Sequence, residues 1–126
     1  MLGTNDFQCT HENNAWLSAQ GTVKLVDIIR KAPIELGMPI PEILLIAPPR
    51  IIEPKVVISG KFKGAENRCI GLASELKQVA NELSTFYFDS GSVIEASSVD
   101  GIHLDKSQHR TLGEAVGNAV LTFNLF

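Results

Sequence analysis

Ile43 to Ala47 form a continuous apolar run, Ile-Leu-Leu-Ile-Ala, enclosed by Pro41 on one side and Pro48-Pro49 on the other. Such a run fits a strand buried on both faces, which is what a parallel sheet demands. Helical patterns flank it. From Asn14 to Arg30, Trp16, Ala19, Val23, Val26 and Ile29 recur at steps of three and four, which is one helical face. Pro33 and Gly37 end that pattern. From Ala65 to Leu83 a second stripe runs through Ala65, Cys69, Leu72, Leu76, Val79 and Leu83. Phe86-Tyr87-Phe88 then reads as a short strand. Asp105 opens a last helix, with Gln108 in the capping-box position and a stripe from Leu112 to Val120. Met1-Leu2 read as the tail of a further strand running into a turn at Gly3. Strands alternating with helices predict βαβ units and a parallel α/β sheet.

Such a sheet places its active site at the carboxyl ends of its strands. Two polar words fall there. Gly3-Thr-Asn5-Asp6 follows the first strand stub, and Asp100-Gly-Ile-His103 follows the last strand. An Asn on a tight turn can donate a side-chain N–H to a developing oxyanion, a contribution of roughly 3–4 kcal/mol to a transition state. An Asp three residues before a His can fix its tautomer and stabilise its imidazolium, if the loop bends, and Gly101 permits the bend. Both words also have plain readings. Asn and Asp after Gly are common turn formers, and an Asp–His pair before a helix can be simple surface. Asp6 reads as a structural acceptor for loop amides. The two words should share one cleft.

Other groups are weaker candidates. Cys9 lies near the Asn5 loop, so a Cys–His pair is conceivable. His11 and His109 have no neighbouring residues at zinc-ligand spacing, so no metal is expected. Asp89-Ser-Gly-Ser92 is not a Gly-x-Ser-x-Gly elbow, and there is no phosphate-cradling glycine loop. The loop from Pro48 to Lys63 is long enough to be a lid or contact surface. Its apolar Ile51, Ile52, Val56, Val57 and Ile58 point to the cleft border or a subunit contact.

The chain has 126 residues, 44% apolar and 20% charged, with a net charge of −3. That is one ordinary globular domain with a mildly acidic balance. A nucleic-acid partner would need a basic patch, and Glu53 interrupts the local cluster of Arg50, Lys55, Lys61 and Lys63. Neither a leader nor an apolar run of membrane-spanning length is evident, so the expected setting is the cytoplasm, with no membrane partner. Cys9 and Cys69 are expected as free thiols.

Gly3-Thr-Asn5-Asp6 resembles the third conserved block of the SGNH (GDSL) hydrolases, and Asp100-Gly-Ile-His103 resembles the fifth. The text between is similar to the arylesterase and acyltransferase branch, close to lysophospholipase-L1-type esterases. The phrases that carry it are Pro41 to Pro49, Phe88-Asp-Ser-Gly-Ser-Val93, and Asp100 to Asp105 followed by Gln-His-Arg-x-Leu-Gly. The resemblance spans essentially the whole chain. It implies a flavodoxin-like three-layer α/β/α sandwich with a parallel sheet. It also implies hydrolysis of small acyl or aryl esters through a serine acyl-enzyme, without cofactor. Asn5 carries over as the oxyanion donor, His103 as the base and Asp100 as its orienter, with Gly3 and Asp6 shaping the site loop.

The family's first block, Gly-Asp-Ser-Leu, supplies the nucleophile and an oxyanion amide, and its second block supplies a glycine amide. Neither is present in the chain. The expectation is therefore that residues 1–126 form the C-terminal portion of a single hydrolase domain, an incomplete sandwich inactive alone. It would exist as a homo-oligomer or together with a missing N-terminal segment. The rival reading is a non-catalytic binding or interaction module that retains the pocket floor. A complete enzyme using Cys9 with His103 is the third.

Overall fold

The computed structural model describes residues 1–32 and 37–125. Asn14 caps the first helix, α1 (Ala15–Lys31), by accepting from the Leu17 amide at 2.9 Å. The helix stops at Ala32, whose backbone is extended, as a residue before proline prefers. Pro33 itself lies outside the described residues. The inward face of α1 keeps Ala19, Val23 and Val26 of the expected stripe and takes in Ala15 and Ser18, while Trp16 and Ile29 turn outward. Ala15, Ser18, Ala19 and Val26 are buried, whereas Trp16 is 54% exposed and Ile29 41%. Small residues let α1 approach the helix beneath it, and Ser18 is drawn inward because its hydroxyl donates to the Asp6 carboxylate at 2.6 Å.

Strands β1 (Leu44–Ala47) and β2 (Phe86–Asp89) pair in parallel, with Leu44 opposite Phe86 and Ala47 opposite Asp89. Parallel neighbours need a crossover connection, and helices α2 (Ala65–Arg68) and α3 (Leu72–Glu82) supply it. The sequence pattern predicts one helix from Ala65 to Leu83. It is broken because Gly71 takes φ +90°, a left-handed conformation that no α-helix contains. The stripe survives the break: Ala65, Cys69, Leu72, Leu76 and Val79 all enter one core with Phe7 and Phe62.

Alternation along β2 builds three layers. Tyr87 faces α3, where its hydroxyl donates to the Ala73 carbonyl at 2.8 Å. Phe86 faces the other way and meets Phe123, 5.2 Å between ring centres, just past the last helix, α4 (Lys106–Thr122). The fold is α/β with a parallel sheet, as expected.

Three details differ from the sequence reading. Met1 and Leu2 form no strand and are largely exposed, because two residues make no ladder. Of β1 only Ala47 is fully buried; Leu44, Leu45 and Ile46 are half-buried, because β2 is the strand's only neighbour among the described residues. The α4 stripe is likewise half-covered, with only Ala119 buried within the helix.

The two helices make a contrast that unfolding can read. Leu76→Ala, at a side chain 3% exposed in the core, should cost about 2–5 kcal/mol in urea denaturation. Trp16→Ala, on the outward face, should cost about 1 kcal/mol or less despite the larger truncation.

Candidate active site

Asp100 divides its carboxylate between two tasks. Oδ1 accepts from the Ile102 and His103 amides at 2.8 and 2.9 Å and so builds the turn. Oδ2 meets His103 Nδ1 at 2.6 Å. The spacing of three residues makes both possible, since the side chain reaches forward over its own turn. Gly101 lies at the bend with φ +78°, and a Cβ there would sit 2.4 Å from the Glu53 carbonyl oxygen. That closeness is how the long loop after β1 grips the turn. The Ile52 amide donates to the Gly101 carbonyl at 3.1 Å, and the Lys55 amide to that of Asp100 at 3.0 Å.

Burial raises the Asp100 pKa, but the His103 ring and the Ile102 and His103 amides outweigh it, and the carboxyl titrates at about 2. Asp100 is therefore ionised wherever a histidine titrates. The His103 side chain is 67% exposed, and no Ser, Thr or Cys among the described residues hydrogen-bonds its ring.

Asn5 sits in a single 3₁₀ turn, Thr4–Phe7, entered through Gly3 at φ +122°. A side chain on Gly3 would press on Leu72, at 3.3 Å. The Asn5 side-chain oxygen accepts from Gln8 Nε2 at 3.2 Å, which leaves its NH₂ to donate elsewhere. Asp6 accepts from the Ser18 hydroxyl rather than from loop amides, and so anchors the turn to α1. Arg68 holds the far side, donating to the Phe7 carbonyl at 2.6 Å and to that of Asn13 at 3.1 Å. The sequence pattern did not single out Arg68, and these two carbonyl partners lie more than 50 positions away from it.

A cavity of about 400 Å³ opens at the carboxyl ends of β1 and β2. Its wall includes Thr4, beside Asn5, and Ile52, whose amide holds the Asp100 turn. Asn5 itself lines a separate space of about 290 Å³ with Gly3 and Asp6, and His103 lines neither. Asp100 and His103 are thus brought together, while Asn5 stands on its own turn.

The remaining candidates have structural employment. Cys9 donates to the Gly60 carbonyl at 3.4 Å, and burial pushes the Cys69 thiol up. Both cysteines are free. Ser90 is fully buried, its hydroxyl on the Ala47 carbonyl at 2.5 Å. His11 stands on a separate turn and His109 within α4; no cluster that could hold a metal occurs among the described residues. Asp105 begins α4, but the capping box is not formed: its carboxylate accepts from Ser97 instead of a helix amide. In the loop after β1, Ile51 is buried and Ile58 packs on the core, so only Val56 and Val57 stand well out. No helix among the described residues is long and apolar enough to cross a membrane.

No protein-family model matches the sequence, and no curated protein does. Solved structures do. Est24, a carbohydrate acetylesterase from Sinorhizobium meliloti, is 29% identical with a TM-score of 0.88 over 98% of this chain and 59% of its own. Another carbohydrate acetylesterase family member from that organism is 32% identical, TM-score 0.88, over 95% of this chain and 57% of its own. The native aryl esterase of M. smegmatis is 31% identical, TM-score 0.85, over 100% of this chain and 59% of its own. These neighbours are SGNH-type esterases, and the chain is similar to them over essentially its whole length. It spans less than three-fifths of the length of these esterases.

Two measurements check the turn. Gly101→Ala should destabilise by more than ~1 kcal/mol, since the position needs a positive φ and has no room for a Cβ. Because the Asp100 pKa is depressed from 3.8 to about 2, its contribution to stability is complete above 3.8 and is lost as pH falls through 2. The stability gap between wild type and Asp100→Asn should therefore narrow between pH 4 and 2.

Proposed function

We propose that this chain carries the base and oxyanion half of an ester hydrolase acting on small acyl or aryl esters through a serine acyl-enzyme. The observation that carries the reading is the 2.6 Å contact between Asp100 Oδ2 and His103 Nδ1. With Nδ1 engaged by a carboxylate that stays ionised, Nε2 is the nitrogen left to take a proton from a hydroxyl nucleophile and return it to the leaving alcohol. The Asn5 NH₂ stabilises the tetrahedral oxyanion. Acetyl and aryl esters are the substrates named for the similar structures.

The serine belongs to a Gly-Asp-Ser-Leu segment outside these 126 residues. That segment also completes the sheet beside β1, where an apolar groove of about 220 Å³ runs between the strand and α1, lined by Leu2, Leu25, Ile29, Leu44 and Ile46. An open strand edge of this kind pairs readily with other chains. Without its partner segment the chain is expected to self-associate and to leave esters intact.

The test is hydrolysis of p-nitrophenyl acetate by the chain alone, and after fusion to the Gly-Asp-Ser-Leu-bearing remainder of the aryl esterase. Turnover is expected only in the fusion, and His103→Ala should lower it by on the order of 10²–10⁴. Hydrolysis by the unfused chain that depends on His103 would place the nucleophile within these residues. Fusion turnover indifferent to His103→Ala would remove its role as base.

A further inference from the structure

Ser97 commits every polar group it has to the segment that carries Asp100 and His103. Its amide donates to the His103 carbonyl at 2.7 Å, and its carbonyl accepts from the Gly101 amide at 2.8 Å. Its hydroxyl accepts from the Val99 amide at 3.1 Å and donates to Asp105 Oδ1 at 2.7 Å. The residue is 5% exposed, and losing the hydroxyl would take from the Val99 amide its partner here. Asp105 is the more telling member. As the residue before α4 it is placed to cap that helix, yet its carboxylate turns back across the loop to Ser97.

The result is a ring from residue 97 to residue 105, tied at both ends. Within it the His103 main chain is caught on two sides, its carbonyl by Ser97 and its amide by Asp100. The imidazole then has one direction in which Nδ1 reaches Asp100 Oδ2. The geometry points to Ser97 and Asp105 as a positioning pair, a side-chain latch that keeps the turn closed and holds His103 in the Nδ1-protonated tautomer. Neither touches the imidazole; both act through the main chain that presents it. Small displacements matter there, because proton transfer depends on alignment. The consequence for ester hydrolysis rests on the function proposed above; the latch itself does not.

The experiment is ¹⁵N NMR of the His103 ring at pH 9, with the Asp100 carboxyl titrated by ¹³C NMR, on the 126-residue chain and three variants. In the wild type a single Nδ1-protonated form is expected. Ser97→Ala and Asp105→Ala should each give signals of both tautomers and move the Asp100 midpoint up from about 2 towards 3.8. Asp105→Asn, which keeps an acceptor oxygen, should restore the wild-type pattern. Thermal unfolding separates this from general damage, since Asp105 freed from Ser97 can cap α4. If Ser97→Ala does not fold, the two Asp105 variants, at an exposed side chain, decide alone. Folded Ala variants with an unchanged His103 tautomer and Asp100 midpoint would overturn the latch. The spectra are read without substrate, so that result would leave the hydrolysis reading to the fusion assay, and a failed fusion assay would leave the spectra standing.

Discussion

The parallel pairing of β1 with β2 is the constraint on which the rest depends. Parallel strands cannot be joined by a tight turn, so the chain must travel back through α2 and α3, and that return path covers one face of the sheet. Tyr87 secures this cover with its bond to Ala73, and Phe86 on the opposite face takes the end of α4. The same pairing sends both strands out at one end. Pro48-Pro49 and Asp89 therefore line one cavity, and the loop after β1 arrives beside the turn at Asp100.

At that turn, electrostatics and backbone geometry support each other. The Asp100 carboxylate is stabilised as an anion by the hydrogen bonds that shape the loop, so the structure that positions it also keeps it charged. A charged acceptor at 2.6 Å is what an imidazole needs if it is to carry a positive charge during a reaction. The closeness of Gly101 to Glu53 is the steric counterpart: the turn and the loop of the preceding strand fit only without a side chain between them.

Part of the exposed apolar surface lies beside the sheet. Leu25 and Ile29 of α1 look onto the groove beside β1, whose own residues are half-buried. Among the described residues β1 has β2 as its one neighbour, and a strand edge of that kind leaves backbone groups unpaired. About two-fifths of the length of the similar esterases lies outside the part that this chain matches. The parts of the fold they share superpose closely all the same.

What the sequence determined by itself was local. Asn14 capping α1, the Asp100 turn and its grip on His103 all involve partners within three residues, and such spacings are readable because the backbone alone brings the groups together. The strands were legible from their apolar runs, and the parallel sheet from their alternation with helices. Tertiary contacts decided the rest. They drew Ala15 and Ser18 of α1 inward and left Trp16 outside. They accompanied a break in the second helix at Gly71, where the stripe continued smoothly in sequence. They turned Asp105 from a helix cap into the partner of Ser97, and placed Arg68 under the Asn5 loop. In each case a residue had two acceptable local states, and the choice fell to a neighbour many positions away or on another element, which no periodicity records.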